Sequence, residues 1–185
     1  MSNHFDYEIN KELGECYLFM GELEKAETYY AKAVQSNPEA SAPYLGLATI
    51  AIQQNNLNKA LSCYTKATEV EKSDKTLAGM GLVLMEQQKS EEAFNIFEEA
   101  LAMNAGNVVA LSCIVRLGYV LNRVESLLPH LERALDVDET QSSRISLAGC
   151  MISLDRNDEA KVLLKQALTN EPKNTQALEL YEHIC

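Results

Sequence analysis

Apolar residues recur at intervals of three and four along almost the whole chain, and polar residues fill the positions between them. This spacing matches the period of an amphipathic α-helix and not the alternation of a strand. Short polar segments interrupt the helical pattern at Gly21-Glu22, Asn55-Asn56, Gln88–Ser90 and Asp155–Asp158. Because glycine, asparagine and aspartate favour turns and helix caps, the pattern predicts a succession of helices joined by short connections.

One segment of this pattern returns several times. Residues 22–38, ELEKAETYYAKAVQSNP, recur in modified form at 56–72, 89–105 and 156–172. Each copy has a small anchor residue, an aromatic residue or leucine four positions later, and an alanine three positions further on. The anchors follow one another at steps of 34, 33 and 67 residues, and they are Ala26, Ala60, Ala93 and Ala160. Because 67 is two periods, a further copy is predicted in the gap, with Leu127 at its anchor position.

This period and its residue pattern resemble the tetratricopeptide repeat family, whose units have small and aromatic residues at fixed positions. The first copy matches this pattern at Leu13, Gly14, Tyr17, Ala26, Tyr30, Ala33 and Pro38. The resemblance implies an all-α, right-handed superhelical solenoid of antiparallel helix pairs with a concave side. On this alignment, an N-terminal tail at 1–6 precedes five repeats, which span 7–40, 41–74, 74–107, 108–141 and 141–174.

The fourth repeat, 108–141, departs from the pattern, since large and small residues exchange places. Gly118 stands at an aromatic position, whereas Val115 and Leu127 stand at small ones. One interpretation is compensation, in which Gly118 makes room that the two larger residues fill. Because Pro129 would interrupt a helix that began at Val124, we predict a longer turn over 122–126 with Ser126 as the helix cap. Simple drift or a functional change of curvature would both explain such a repeat.

Residues 175–185, TQALELYEHIC, begin a further first helix and then stop. We expect Leu178, Tyr181 and Ile184 to cover the last repeat, as a capping helix does at the end of a solenoid. The alternative is that the segment belongs to a longer array of repeats.

The charge balance narrows the range of partners. The chain has 27 acidic and 16 basic residues, for a net charge of -11, so it repels phosphate backbones and anionic lipid. Nucleic acid and membrane are therefore not expected as partners, and no apolar stretch approaches the ~20 residues that span a bilayer. Five widely spaced cysteines without a CxxC pair and the lack of a secretory signal pattern predict a cytoplasmic chain with reduced thiols.

The sequence has no recognisable catalytic constellation. It contains no phosphate-binding glycine-rich loop, no HExxH and no GxSxG, so we expect no enzyme, no cofactor and no metal. The histidines are scattered, and His183 with Cys185 is interpreted as a solvated chain end. Cys16 and Cys150 occupy the same repeat position and are expected to be semi-buried packing residues.

Family resemblance implies that a ligand lies along the first helices of the repeats. The predicted partner-binding residues are Leu18, Phe19, Leu45, Thr49, Ile52, Leu82, Met85, Arg116, Tyr119 and Ile152. Most are apolar, which favours an apolar partner segment, either a helix or an extended strand. A carboxylate clamp of the co-chaperone type is not expected, because Gly46 and Gly79 stand where that clamp has Asn and Arg.

The resulting hypothesis is a non-enzymatic scaffold or adaptor that binds an apolar protein segment in its groove. Two alternatives stay open: a client-specific chaperone of the secretion type, and a structural subunit or homo-oligomer. Internal burial of these apolar residues by tight superhelical curvature would also explain the pattern.

Overall fold

The computed structural model describes residues 2–137 and 141–185, and these ranges form eleven α-helices with no strand. The helices are α1 (Ser2–Phe19), α2 (Leu23–Ser36), α3 (Ser41–Gln53), α4 (Leu57–Val70), α5 (Asp74–Glu86), α6 (Ser90–Met103), α7 (Val108–Val120), α8 (Val124–Val137), α9 (Gln141–Ser153), α10 (Asn157–Asn170) and α11 (Thr175–His183). We call the odd-numbered helices α1 to α9 first helices and the even-numbered ones second helices. Helix α1 begins at Ser2 and so includes residues of the predicted N-terminal tail.

The chain divides into two compact units, Met1–Ile96 and Phe97–Cys185. In the first unit, α2 packs between α1 and α3, and α4 packs between α3 and α5. In the second unit, α8 packs between α7 and α9, and α10 packs between α9 and α11. From α1 to α5 and from α7 to α11, each helix contacts its sequence neighbours, so these helices bury their apolar faces by local stacking.

Small anchor residues bring the paired helices close together. The fourth residue of four second helices is an alanine with no exposed surface: Ala26, Ala60, Ala93 and Ala160. In the first unit, Ala26 packs with Tyr30 and Ile50, and Ala60 packs with Ala51 and Val83. An alanine has no side chain beyond Cβ, so the facing helix approaches closely without a clash.

Every first helix ends in the same kind of turn. One residue after each has a positive φ: Gly21 (77°), Asn55 (56°), Gln88 (61°), Asn122 (55°) and Asp155 (59°). The following amide closes the turn by donating to a carbonyl five residues back, as from Lys89 to Leu84 at 2.9 Å. This hydrogen bond and the left-handed residue are the features of a Schellman motif. The turns follow one another at steps of 34, 33, 34 and 33 residues, which matches the sequence period.

The predicted longer turn at 122–126 is wrong. Helix α8 begins at Val124, Pro129 lies inside it, and Ser126 is not its cap, since Ser126 Oγ donates to the Arg123 carbonyl at 2.8 Å. The Arg123 amide closes the ordinary turn onto the Gly118 carbonyl at 2.7 Å, so the chain keeps the connection found after the other first helices. Pro129 is exposed, and it removes one backbone amide donor from the helix.

The exchange of large and small residues in the fourth repeat brings Gly118 and Leu127 into direct contact. A Cβ added at Gly118 would lie 2.6 Å from Leu127 Cδ1, so only glycine leaves room for that leucine. Leu127 is completely buried at the position where the other second helices have alanine. The compensation interpretation is therefore confirmed for this pair.

Helix α11 covers the end of the second unit by contacting α9 and α10. Asn174 caps it, since its side chain accepts a hydrogen bond from the Ala177 amide at 3.0 Å. Ala177 is the fully buried residue of this helix, whereas Leu178 keeps 37 % of its surface exposed and Tyr181 and Ile184 are half-buried. Ala177 is therefore the centre of the covering face, whereas Leu178, Tyr181 and Ile184 were expected to form it.

Candidate partner-binding surface

The first helices of the first unit carry apolar side chains that are only partly covered. We call this set the first-helix surface, and it consists of Leu18, Phe19, Leu45, Thr49, Ile52, Leu82 and Met85. Leu45, Thr49 and Ile52 lie at i, i+4 and i+7, so they share one face of α3. Leu82 and Met85 lie at i and i+3 and share one face of α5.

These residues differ in exposure. Phe19 is 94 % exposed, and Ile52 and Leu82 keep 42 % and 40 % of their surface in solvent. Leu18, Leu45 and Met85 are half-buried. Leu18 also packs against the cluster around Ala26 and Tyr30, so that end of the surface is fixed by the core.

The polar groups of this region are mostly turned toward their own chain. Thr49 is exposed, but its Oγ1 donates to the Leu45 carbonyl at 3.0 Å. Lys11 Nζ lies 3.0 Å from Glu8 in an ion pair within α1, and this contact raises the pKa of Lys11. Because these polar groups are paired within the chain, the exposed apolar side chains of Ile52 and Leu82 are the groups of α3 and α5 that a partner could contact.

The two glycines that argue against a carboxylate clamp have a packing role. A Cβ at Gly46 would overlap the Tyr30 ring, and a Cβ at Gly79 would lie 2.5 Å from the Tyr64 ring. Burial raises the pKa of Tyr30 to about 12 and also raises the pKa of Tyr64. These positions therefore receive tyrosine rings from the preceding second helices.

The three predicted residues of the second unit lie on α7 and α9. Arg116 and Tyr119 are exposed on α7, and Ile152 is half-buried on α9. The Tyr119 hydroxyl donates to Cys150 Sγ at 3.8 Å and lies 3.3 Å from Ser153 Oγ. Burial raises the pKa of Tyr119, and its hydroxyl links the two helices.

Cysteine positions that looked equivalent in the sequence have different environments. Cys150 is completely buried, and desolvation raises the pKa of its thiol, as it does for Cys113. Cys16 is exposed, so the expectation of a semi-buried site is wrong for this residue. The reason is local, because Cys150 lies beneath Tyr119 whereas Cys16 faces solvent near the end of α1.

A further feature of the second unit was missed in the sequence. A cleft of about 240 Å³ opens between α7, α8 and α9. Val115 and Leu131 form part of its apolar wall, and Ser142 and Ser146 lie across from them. The signal that points to it is Leu131, which stands where three other second helices have an aromatic residue.

Within residues 2–137 and 141–185, no three His, Cys, Asp or Glu side chains come together as a metal site. His130 lies 3.5 Å from Glu98, an isolated pair. In the same part of the chain, no helix combines the length and apolar character needed to cross a bilayer.

The family model for the tetratricopeptide repeat matches residues 20–80 of this chain. The helix pairs, the buried alanine anchors and the recurring turns agree with that match. These findings support a protein of the tetratricopeptide repeat family. Its fold is all-α and of the tetratricopeptide solenoid class, as the sequence pattern predicted. Such repeat proteins are generally non-catalytic modules, and the fold supports a role as a protein–protein interaction scaffold.

Several known proteins are similar to this chain. The "Tetratricopeptide repeat protein 21 homolog" of Caenorhabditis briggsae is 21 % identical over 92 % of this chain and 13 % of the relative. The "BBSome complex member BBS4" of Bos taurus is 27 % identical over 59 % of this chain and 21 % of the relative. The chain thus spans only a small part of the length of these relatives.

The structure of YrrB, described as a TPR protein with an unusual peptide-binding site, superposes with a TM-score of 0.71. The two chains are 16 % identical, and the match covers 94 % of this chain and 90 % of YrrB. At this identity, the likeness supports the fold.

Proposed function

We propose that the first-helix surface of the first unit binds an apolar segment of a partner protein. The observation that carries this proposal is the exposure of Ile52 and Leu82 on helices whose opposite sides are buried. An exposed leucine alone is ordinary, but apolar residues that recur at the same face of successive first helices are typical of an interaction surface. Arg116, Tyr119 and Ile152 on α7 and α9 are proposed as a second binding face.

The binding energy would come from burial of these side chains against the partner. Complete burial of a leucine contributes about 1.5–3 kcal/mol, so a few such residues suffice for a specific, moderately stable complex. The net charge of -11 favours a partner whose apolar segment has basic flanks, since such charges accelerate encounter. We also infer a reducing compartment such as the cytoplasm, because all five cysteines are free thiols.

The test compares the native chain with Leu82→Glu as tagged baits in a cell extract, followed by mass spectrometry of the captured proteins. The charged carboxylate would have to be buried against the partner, so we expect the specific partner to be lost. Affinity of the purified partner is then measured by calorimetry. Circular dichroism of the variant is expected to retain the native helicity, since Leu82 lies at the surface.

Val162→Glu is the matched control. Val162 is an exposed apolar residue of α10, so the same type of charge is introduced away from the first helices. Capture by the native chain and Val162→Glu, with loss in Leu82→Glu, would support the proposal. The same affinity for all three folded proteins would contradict it.

A second candidate function is a structural subunit of a larger assembly. It is favoured by the similarity to a relative named as a complex member. Light scattering over a range of concentrations separates the two functions. A mass that rises with concentration, and falls to that of a single chain in Leu82→Glu, would favour self-association through the same surface.

A further inference from the structure

Helix α1 carries an exposed apolar stripe on the side opposite the buried Gly14. Phe5, Ile9, Cys16 and Met20 follow one another at i, i+4, i+11 and i+15, so they share one face. Phe5 is 71 % exposed, Ile9 52 % and Met20 63 %, and Cys16 is exposed as well. Met20 continues the face beyond the last residue of α1, because its amide still donates to the Cys16 carbonyl at 3.0 Å. We call these four residues the outer face of α1.

In the later first helices, the side that corresponds to this face is buried. Ile9 and Cys16 correspond to Pro43 and Ile50 of α3, and both of those are buried. Ile50 packs against Ala26 of α2, which is the preceding second helix. The equivalent residues of α5, α7 and α9 are buried too, and they are Thr76, Val83, Ala110, Leu117, Ser143 and Cys150. On α3, therefore, a second helix covers the side that α1 leaves exposed.

A carboxylate at the centre of the outer face restricts what can cover it. Glu12 lies between Ile9 and Cys16, at the position where α3 has Gly46. Gly46 makes room for Tyr30, which is the eighth residue of α2. Glu12 is exposed and leaves no such room, so a helix that inserts an aromatic ring at this point does not fit. The carboxylate instead favours a helix with a lysine or arginine opposite it.

The same carboxylate argues against a second copy of this chain as the occupant. Two α1 helices paired through their outer faces, parallel or antiparallel, would bring the two Glu12 carboxylates together near the centre of the contact. Like charges at a desolvated contact oppose association, and each copy also has a net charge of -11. A basic partner avoids both repulsions.

We propose that the outer face of α1 binds an amphipathic helix of another protein, which lays its apolar stripe on Phe5, Ile9 and Cys16 and places a lysine or arginine opposite Glu12. The apolar residues provide the contact area, and the charge pair selects the partner and fixes its register. The outer face contains none of the residues of the first-helix surface, so the proposal goes beyond the proposed function and does not depend on it.

The probe is a peptide based on α2, because α2 covers the equivalent side of α3. It has the sequence of residues 22–38 with Tyr30→Lys, so that a cation replaces the ring. A peptide of this length is only marginally helical alone, so a covalent staple joins positions 24 and 28, which are exposed in α2. Fluorescence anisotropy at low salt is expected to give a dissociation constant on the order of 10–100 μM for the full chain. The matched peptide with Tyr30→Glu is expected to bind about tenfold more weakly.

Variants of the chain locate the peptide. Glu12→Lys is expected to reverse the preference, with about tenfold weaker binding of the Tyr30→Lys peptide and tighter binding of the Tyr30→Glu peptide. Ile9→Glu is expected to weaken both peptides, whereas Val162→Glu on α10 is expected to leave both unchanged. These replaced residues are exposed, so circular dichroism is expected to show native helicity. If Ile9→Glu does not fold, Phe5→Glu takes its place.

Three results would overturn the proposal: no saturable binding of the Tyr30→Lys peptide, equal binding of the two peptides by the native chain, or an unchanged preference in folded Glu12→Lys. Sedimentation of the chain without peptide tests the other occupant. A native dimer that Ile9→Glu abolishes would assign the outer face to a second copy and would also overturn the proposal. None of these variants changes Leu82, so a failure here is distinct from a failure of the capture experiment.

Discussion

Tyr30 in the first unit and Leu127 in the second are both large residues of a second helix that lie against glycine on a first helix, but they stand at different positions of that second helix. Tyr30 is a large residue on α2 whose ring lies against Gly14 and Gly46 on the first helices on either side. On α8, the large residue moves to the anchor position, where Leu127 lies against Gly118, and the eighth position is reduced to Leu131. Both contacts have their glycine on a first helix, whereas Ala26 is a small residue on a second helix. The close approach of paired helices therefore requires one small residue at each contact but does not fix which helix provides it.

The two regions differ in how freely the large side chain can move and in how completely the space between the helices is filled. A tyrosine ring between two glycines has no alternative position, whereas a leucine side chain can change rotamer. The exchange on α8 fills the anchor position completely, since Leu127 has no exposed surface. It leaves the cleft beside Leu131, so the second unit gains an opening that the first unit lacks at Tyr30.

The largest expected effect comes from adding a methyl group to Gly46 in the first unit, in comparison with the same change at Gly118 in the second. Gly46→Ala is expected to lower the free energy of unfolding by about 2–3 kcal/mol, because its Cβ would overlap the fixed Tyr30 ring. Gly118→Ala is expected to cost about 1 kcal/mol, because Leu127 can move its terminal methyl groups. Chemical unfolding monitored by circular dichroism measures both.

Both alanines gain the same helix propensity, so the difference between the two variants reports packing alone. Equal losses of stability, or a larger loss in Gly118→Ala, would contradict the greater rigidity of the contact between Gly46 and Tyr30.

Alkaline pH provides the next test. Burial raises the pKa of Tyr30 to about 12. The unfolded chain has the ordinary phenol pKa of about 10, so it releases this proton first as the pH rises. Stability from this residue is therefore complete below about pH 10 and is lost as the pH approaches 12. We expect Tyr30→Phe, which keeps the ring, to show a smaller fall in the unfolding midpoint over this range.

Tyr64→Phe serves as the companion variant, since burial also raises the pKa of Tyr64 in the same unit. Tyr29→Phe is the control on α2, because it removes a phenol from the same helix without touching Gly14 or Gly46. A fall in midpoint for Tyr30→Phe that parallels the native chain would contradict the assignment of this pH dependence to Tyr30.

The smallest expected effect concerns the turns, in which the two regions agree. Gln88 has a φ of 61°, a region that costs an L-residue about 1–2 kcal/mol. Gln88→Gly is expected to raise the free energy of unfolding by about 0.5 kcal/mol, because glycine's greater freedom in the unfolded chain offsets part of the relief.

Gly21→Ala is the opposite change at the equivalent turn. A Cβ at Gly21 would meet nothing within 4 Å, so its expected cost of about 1 kcal/mol is conformational only. Differential scanning calorimetry measures both variants, and a destabilised Gln88→Gly would show that the glutamine side chain has a stabilising role of its own.

Much of the fold could be predicted because it depends on periodic features. The alanine anchors gave the period, and Ala26 and Ala160 are completely buried as a close helix contact requires. The turn residues were also visible, since Gly21 and Asn55 favour a positive φ. The beginning of α8 could not be predicted, because the propensity of Pro129 to interrupt a helix was outweighed by the turn that Arg123 closes onto Gly118.

The candidate surface could be predicted only as a set of positions. Phe19 and Met85 look alike as apolar residues of first helices, but the first is almost fully exposed and the second is half-buried. This difference depends on neighbouring helices that a repeat pattern does not specify. The cleft was missed because it results from residues of three helices together. Leu131 departs from the aromatic residues at this position of three other second helices, but that departure alone does not indicate an open space.

The contact between Gly118 and Leu127 also sets the order in which such a repeat can evolve. A chain with alanine at the anchor position tolerates Gly118 at the cost of a small gap. Leu127 introduced before that glycine would overlap any larger residue at position 118, since even a Cβ there would lie 2.6 Å from its methyl carbon. The less costly order is therefore the one in which the glycine arises first, and reversion of the glycine alone would lose the stability that Gly118→Ala measures. A change in one helix thus influences which changes the neighbouring helix accepts, and the repeat diverges from its siblings by coupled steps.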